Sequence, residues 1–436
     1  MALVSHADAA QLPLVSDDLE VLSKPRERKP LLSKEKRVEY VALASLMWSL
    51  FMEGWNDATT GPLLPVIQSH YKIGYTIVSL VFVLSGTGFV VSAIANVYLS
   101  HKVGFGKVVM MGAVSQVIAY CIQSAAPPFP AFVLAYFFSG FGVAIQNAQS
   151  IDFCVSVDSH SATKMGLVQS AYGIGALVAP IVAMRFAVMP RWSFHFLVSL
   201  GGALLNSALL LYAFRLKNLD EILTRAGQPT REKSETQESH YSQLLKLKIL
   251  HFIAIFLLLL VGVEFAVGGW IVTFVMVDRG GGTSSAYLSS GFFAGMFLGR
   301  VTLLYLNKLL GDIRAVWLYL LLCLGFEISI WVVPSFIENA IAVSFFGFFN
   351  GPIHPILMNM FGRLIPPWLM SGAVGLTIGL EQTGTAIIPF IAGAMASRFG
   401  IWSLHPLIVS ILGFLLVMWA FVPFVAKPPD ETVEHS

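Results

Sequence analysis

Long apolar runs separated by short polar segments dominate the chain. Twelve runs are long enough to cross about 30 Å of hydrocarbon as helices of about 20 residues each, and they fall into two sets of six. The pattern predicts an all-α membrane protein with a cytosolic tail (1–37), a six-helix bundle (38–214), a cytosolic linker (215–246), a second six-helix bundle (247–425) and a cytosolic tail (426–436). The predicted spans are 39–65, 75–99, 107–125, 130–156, 163–187, 193–214, 247–277, 284–308, 314–334, 337–362, 369–397 and 402–425.

Composition narrows the class of protein. The chain is 56% hydrophobic and 12% charged, whereas soluble domains carry about 25% charged residues. A net charge of +2 provides no basic field for nucleic acid. Cys121, Cys154 and Cys323 each lie in an apolar run without the spacing of a zinc site or a disulfide framework, so no metal and no cofactor is expected.

The distribution of Lys and Arg predicts the orientation. With both termini in the cytosol, 21 of the 27 basic residues fall in cytosolic segments and five fall outside. Such a bias is typical of membrane proteins. The N-terminal tail lacks the apolar core of a cleavable signal peptide, so the first spanning helix is expected to direct insertion.

The two halves resemble each other in sequence. A shift of 209 residues aligns GLVQSAYGIGALVAP (166–180) with GLTIGLEQTGTAIIP (375–389), and it also matches Gly86 with Gly295 and Gly142 with Gly351. A shift of 207 aligns YLSHKVGFGK (98–107) with YLNKLLGDIR (305–314). The matches indicate a duplicated six-helix unit, an architecture in which transporters place the solute between the repeats.

A polar stripe interrupts the first predicted span. Glu53, Asn56, Asp57 and Thr60 stand at i, i+3, i+4 and i+7, on one face of a helix. An acid in hydrocarbon costs about 2.5 to 3.5 kcal/mol on insertion scales. The stripe should therefore face protein or a wet cavity, where an acid could load and release protons; the alternative is a hydrated position near the membrane interface.

Further polar residues interrupt other predicted spans. Spans four, seven and ten are, like span one, the first members of their three-helix units, and they carry such residues; so do spans five and eleven. Buried amides and histidines are often satisfied interhelical bonds, but their collection in corresponding helices favours a shared cavity. The predicted proton-coupling residues are Asp57, Glu264 and Glu381, and the predicted solute-binding residues are Glu53, Asn56, Gln146, Asn147, Gln169, Tyr172, Asn350, His354 and Gln382.

Arg300 is a cation inside a predicted span. It needs a carboxylate or carbonyl partner, with Glu264 and Glu381 as candidates, and a structural ion pair or snorkelling to the cytosol is an alternative to solute contact. Small-residue ridges at 291–299 (Gly291, Gly295, Gly299) and 375–379 (Gly375, Gly379) predict close helix approach.

Four motifs resemble one transporter family. GWNDATTGPLLP in the first span, SGFGVAIQNAQ in the fourth, GVEFAVGGWIVTF in the seventh and FNGPIHPILMN in the tenth are similar to the fucose permease-like (fucose, galactose and glucose:proton symporter) branch of the major facilitator superfamily, including its eukaryotic relatives. The resemblance covers about residues 38–425. It implies two pseudo-symmetric bundles, alternating access, a sugar-sized central site and proton coupling.

Two departures qualify what the resemblance implies. The loop motif G-x-x-x-D-R-x-G-R survives only as VYLSHKVGF, with His101 and Lys102 in place of Asp and Arg. Bacterial sugar permeases of the branch carry a functional glutamate where Gln146 aligns. Proton coupling would therefore depend on Asp57, Glu264 or Glu381, and uncoupled facilitated diffusion is the alternative.

The predicted function is secondary transport of a small polar solute such as a hexose, with protons, by a monomer in the lipid bilayer. A non-transporting membrane sensor on the same fold is the alternative, and an enzyme is disfavoured because the sequence offers no nucleophile–base pair or phosphate loop. The segment ERKPLL (Glu27 to Leu32) has the spacing of an acidic-dileucine signal, which would direct the protein to endosomal or vacuolar membranes instead of the plasma membrane.

Overall fold

The computed structural model describes residues 34–157, 161–228, 247–365 and 369–422. In these ranges the long elements are α-helices, as predicted. We label them in chain order: α1 (Lys34–Tyr71), α2 (Leu80–Lys102), α3 (Phe105–Ser124), α4 (Phe129–Ser156), α5 (Ser161–Ala187), α6 (His195–Phe214), α7 (Lys248–Asp278), α8 (Ala286–Thr302, continued by Leu304–Leu310), α9 (Asp312–Val332), α10 (Phe336–Asn350, continued by Ile353–Leu364), α11 (Met370–Phe399) and α12 (Leu404–Ala420).

Ten helices in the described ranges are long and apolar enough to cross a membrane, and eleven if the two parts of α8, bent by 56°, count as one span. The remaining helix, α1, is 38 residues long but lies outside that set. Its polar stripe lowers its average apolar character, although its length exceeds what a span requires. Helices suit this setting because every backbone group is satisfied within the segment.

The helices form two bundles with matching internal packing. α1 packs on α5 and α2 on α4 in the first bundle; α7 packs on α11 and α8 on α10 in the second. Glycines allow the backbones of α2 and α4, and of α8 and α10, to touch, because a Cβ at each would overlap a carbonyl oxygen of the facing helix. The glycine–carbonyl pairs are Gly88 with Phe137, Gly140 with Ser85, Gly295 with Ser344 and Gly347 with Phe292.

These pairs correct part of the predicted repeat. Adding 207 to the residue numbers of the two α2–α4 pairs gives the two α8–α10 pairs. Gly88, rather than Gly86, is therefore the structural equivalent of Gly295. The turns agree with the same shift, since Gly104 (φ 91°) and Gly311 (φ 76°) both begin the following helix in a conformation that glycine tolerates best. The shift of 209 holds for α5 and α11, where Gly175 and Gly384 each meet a carbonyl of the adjacent helix.

The bundles meet closely at one end of the molecule. At the start of the second span, the backbone N–H and the hydroxyl of Thr76 both donate to Ser397 Oγ, at 2.9 and 2.8 Å. Gly393 lies against Ser79, and farther along Gly86 lies against Ala386. We call these contacts between α11 and residues 76–86 of the second span the closed end; in the predicted orientation it faces outward.

The opposite half of α11 differs. Gly375 and Gly379 were predicted to permit close helix approach, but a Cβ at either would meet no atom within 4 Å among the described residues, so this prediction is wrong. The ridge on α8 behaves as predicted: Gly291, Gly295 and Gly299 all press against α10. Gly379, Ala386 and Gly393 are seven positions apart and therefore share one face of α11; the second span contacts this face at Ala386 and Gly393 but not at Gly379.

The predicted linker begins with a short helix, Leu219–Arg225, that buries Ile222 and Leu223 against the first bundle. Nearby, Lys164 of α5 forms an ion pair with Glu39 of α1. The rest of the linker and the dileucine segment at 27–32 lie outside the described residues.

Candidate functional site

The polar stripe of α1 meets three different helices of the first bundle. Asn147 Nδ2 of α4 donates to Glu53 Oε1 at 2.7 Å. Tyr120 of α3 donates to Asn56 Oδ1 at 3.2 Å, and Tyr172 of α5 donates to Asp57 Oδ2 at the same distance. The stripe therefore faces protein, in agreement with the cost of exposing it to lipid.

Close packing of α1 and α5 brings Tyr172 to Asp57. A Cβ at Gly54 would overlap the carbonyl oxygen of Tyr172, and a Cβ at Gly175 would overlap that of Phe51. Backbones can approach this closely only where side chains are absent. The glycines thus fix the distance between the Asp57 carboxylate and the tyrosine hydroxyl.

The second bundle presents two carboxylates in a comparable place. Asn350 Nδ2 of α10 donates to Glu264 Oε2 of α7 at 3.4 Å. His354 Nε2, one turn further along, lies 3.1 Å from Glu381 Oε2 of α11. Glu264 and Glu381 are buried, with relative exposures of 6%, so each relies on these polar partners.

Arg300 bonds to a backbone carbonyl, and neither Glu264 nor Glu381, the acids named as candidate partners, lies within ion-pair distance of it. Its Nε donates to the carbonyl oxygen of Gly351 at 3.2 Å, and its guanidinium also acts electrostatically on Glu264. The carbonyl is free because the residue four positions later is Pro355, which has no N–H to complete the helical bond. The break between the two parts of α10 therefore creates the acceptor that holds Arg300 inside the membrane.

The two groups of acids face each other across the bundle interface. Gly61 of α1 packs on the carbonyl of Gly268 of α7, and a shift of 207 relates these glycines. Asp57 and Glu264 stand one turn before them, are related by the same shift, and interact electrostatically. Tyr172 lies within the fields of both acids as well as of Glu53 and Arg300, so residues from both bundles form one cluster. We call this set of residues the central cluster; its members are Glu53, Asp57, Asn147, Tyr172, Glu264, Arg300, Asn350, His354 and Glu381.

The central cluster is not sealed from solvent. Asp57, Asn147, Tyr172 and Arg300 are half-buried although each contacts another polar group of the cluster, and the His354 side chain keeps 31% of its surface accessible. Partial accessibility at the junction of two bundles is what a solute-binding passage requires.

Three predicted residues occupy other positions. Gln146 faces α6, where its Oε1 accepts from Asn206 Nδ2 at 2.8 Å, and Asn206 in turn accepts from Ser49 at the same distance. Gln169 is half-buried on α5, three residues before Tyr172. Gln382 is half-buried beside Glu381, and its Oε1 has no hydrogen-bond partner among the described residues.

Sequence reasoning missed a second buried polar centre. His405 Nδ1 of α12 lies 2.8 Å from Glu327 Oε1 of α9, and both side chains are almost fully buried. A sequence signal exists: WSFH (192–195) recurs as WSLH (402–405), and both histidines follow a short 3-10 helix. In the first copy, His195 Nε2 lies 3.1 Å from Thr59 Oγ1 and its ring stacks on Trp55. The His195 pair joins α6 to α1, and the His405 pair joins α12 to α9. None of these four side chains is bonded to the central cluster.

Among the described residues, no three His, Cys, Asp or Glu side chains are grouped so as to hold a metal ion. The carboxylates, amides and tyrosine hydroxyl of the central cluster can form hydrogen bonds, and the carboxylates can exchange protons.

Comparison with known proteins decides the family. The Major Facilitator Superfamily profile matches residues 46–345. The chain belongs to this superfamily. It is 23% identical over 407 residues to Bypass of stop codon protein 6 of Saccharomyces cerevisiae, covering 87% of this chain and 81% of the yeast protein. It is 21% identical over 367 residues to the Glucose/mannose transporter GlcP of Bacillus subtilis, covering 81% and 86% of the two chains.

Solved structures agree on the major facilitator fold. The chain superposes on a D-xylose-proton symporter with a TM-score of 0.72 at 14% identity, covering 89% of this chain and 99% of the other. It superposes on a bacterial homolog of the human lysosomal transporter Spinster, in an inward-facing and unoccupied conformation, with a TM-score of 0.69 at 12% identity, covering 89% and 97%. The predicted all-α fold of two pseudo-symmetric bundles is confirmed, and the chain is an integral multi-pass membrane protein.

Proposed function

We propose that this chain is a secondary transporter that moves a hexose or related small polar solute together with protons. The observation that carries the proposal is the central cluster, where Asp57 of one bundle and Glu264 of the other interact across the junction of the repeats. Transporters of repeated architecture bind solute at this place. Acids placed there can couple solute binding to protonation.

The solute class rests on the chemistry of the cluster and on the relatives. Carboxylates, the amides of Asn147 and Asn350, and the hydroxyl of Tyr172 together offer the acceptors and donors that a polyol needs. One relative is called a glucose/mannose transporter, and one structural neighbour a D-xylose-proton symporter. A sugar-sized, hydroxyl-rich solute suits both lines of support.

The asymmetry between the two ends supports transport by alternating access. Thr76 of the second span bonds to Ser397 of α11 at one end, whereas Gly375 and Gly379, in the other half of α11, meet no atom within 4 Å among the described residues. With both termini in the cytosol, as the Lys and Arg bias predicts, this conformation opens towards the cytosol. Rocking of the bundles about the glycine contact of Gly61 with Gly268 would exchange the two ends.

We assign the proton to Asp57 first, with Glu264 and Glu381 as further carriers. Asp57 is bonded to Tyr172 of the cluster and is half-buried, so part of its side chain is accessible for exchange of a proton. Gln146, which aligns with the functional glutamate of bacterial permeases of this branch, is bonded to Asn206 instead. The proton site has thus moved from α4 to α1 in this proposal.

The test uses purified protein in proteoliposomes. We expect uptake of glucose, galactose, mannose, xylose or fucose that accelerates when protons are made to flow in the direction of the solute, and that loses this acceleration when an ionophore collapses the gradient. Uptake that ignores the gradient would contradict proton coupling. Absence of uptake for every sugar, with binding of one of them retained, would favour a sensor.

We further propose that the protein works as a monomer by transport rather than catalysis, in the plasma membrane or in an endosomal or vacuolar membrane. In this proposal the ERKPLL segment is the sorting signal that directs the protein to the internal membranes. A fluorescent fusion carrying Leu31→Ala and Leu32→Ala should shift from internal membranes to the cell surface; identical localisation of both fusions would remove the signal's role.

A further inference from the structure

The central cluster contains more acids than bases. Glu53, Asp57, Glu264 and Glu381 converge there, and the bases that accompany them are Arg300 and His354. His354 lies within hydrogen-bond distance of Glu381, and Arg300 donates to the carbonyl of Gly351. Even with one carboxyl group protonated and the imidazole charged, the cluster does not become positive.

Two buried amide oxygens of the cluster are acceptors without a partner among the described residues. Asn147 donates its Nδ2 to Glu53 and Asn350 donates its Nδ2 to Glu264. Since a carboxylate can only accept, these bonds determine how each amide is turned. Oδ1 of Asn147 and Oδ1 of Asn350 are left without a hydrogen-bond partner among the described residues. A buried acceptor without a partner is destabilised, so the cluster is complementary to a solute that donates.

An incoming anion would meet an unfavourable electrostatic environment. The charge of Arg300 already offsets Glu264, and its Nε is bonded to the Gly351 carbonyl, so a solute carboxylate that approached the remaining N–H groups of this guanidinium would also approach Glu264. Two carboxylates close together repel each other. A solute ammonium group, by contrast, can donate to any of the carboxylates or to the unpaired amide oxygens.

We propose that the central cluster selects its solute by charge: it accepts neutral and cationic, donor-rich solutes and rejects anionic ones. An amino sugar should therefore bind at least as well as its parent hexose, while the corresponding uronate should be excluded. The inference rests on the proposed function for the location of the solute site, and it adds a selection rule that the hexose assignment alone does not contain.

The test compares two matched sets of solutes on the purified full chain, by thermal shift in detergent and by competition in proteoliposomes. The first set is glucose, glucosamine and glucuronate; the second is sorbitol, its amine glucamine, and gluconate. We expect the amine to bind as tightly as the neutral member or more tightly, and the acid at least tenfold more weakly. An acid that competes as well as the neutral member of its set would overturn the charge rule.

Two variants test whether the acids of the central cluster cause the proposed charge selectivity. Glu264→Gln should reduce the disadvantage of glucuronate or gluconate by at least threefold, and Glu381→Gln serves as a second variant if the first does not fold. Glu221→Gln, which neutralises an exposed acid of the short helix after α6, is the matched control and should leave the order unchanged. An order unaffected by both cluster variants would overturn the assignment of selectivity to these acids.

The two sets also separate this inference from the proposed function. Binding of the sorbitol set without binding of the glucose set would refute the hexose assignment while the charge order is still measured. Binding of only the acids, or of no member of either set, would overturn the charge rule.

Discussion

Replacing Asp57 by Asn is the most direct perturbation of the proposed coupling. The carboxylate accepts from Tyr172 at 3.2 Å and from Asn56 at 3.2 Å. Asparagine has nearly the same shape and keeps one acceptor oxygen, so at most one of these bonds is lost. The expected loss of stability is about 0.5 to 1.5 kcal/mol, a small part of the roughly 5 to 15 kcal/mol that holds a folded protein together.

The effect on coupling should be much larger. If one proton accompanies each solute, each unit of imposed pH difference contributes about 1.4 kcal/mol, which corresponds to about tenfold accumulation. Asparagine cannot bind that proton. We expect the Asp57→Asn variant to lose accumulation, reaching equal concentrations on the two sides, or to lose transport altogether.

The assay measures sugar accumulation in proteoliposomes at imposed pH differences of zero, one and two units, together with thermal unfolding of each variant. Asp312→Asn is the matched control, because it makes the same chemical change in an ion pair with Arg363 at the membrane edge; it should accumulate solute like the wild type. A folded Asp57→Asn variant that still accumulates about tenfold per pH unit would refute the reasoning and exclude Asp57 as the proton carrier.

Three further predictions test packing and the closed end. Gly295→Ala places a Cβ on a carbonyl oxygen of α10 and should lower stability by about 1 to 3 kcal/mol, whereas Gly379→Ala meets open space and should not; equal melting temperatures in detergent would contradict this. Ser397→Ala removes the acceptor for two exposed hydrogen bonds from the second span. At about 0.5 kcal/mol for each bond, the loss should raise the population open at that end about fivefold, measured by labelling of a cysteine introduced there. Unchanged labelling would show that the contact does not hold this end closed. Breaking the buried pair by Glu327→Leu or by His405→Leu should each cost about 3 to 5 kcal/mol, while the double variant should recover part of the loss; fully additive unfolding free energies would show that the two side chains do not interact.

The hydrophobic pattern alone determined the class of protein and most of its helices. Apolar runs of spanning length have few folded solutions in a bilayer, because helices satisfy the backbone internally. The polar interruptions could also be read locally: a four-residue stripe at helical spacing and acids in matching helices of two repeats predicted that Asp57, Glu264 and Glu381 face protein. These properties depend on residues near one another in the chain, and for that reason the sequence expresses them directly.

The tertiary structure decided which of these residues meet. Whether Gln146 faces the central cluster or Asn206 depends on how α4 is rotated against α6, a choice made by packing and not by spacing. The same holds for the pairing of Glu327 with His405, which are 78 positions apart. It holds also for the glycines of α11, since Gly384 packs on α7 and Gly393 on Ser79, whereas Gly375 and Gly379 meet open space. Which end of the molecule is closed likewise depends on how the two bundles pack against each other. That packing includes contacts such as Thr76 with Ser397, 321 positions apart, which no local pattern in the chain predicts.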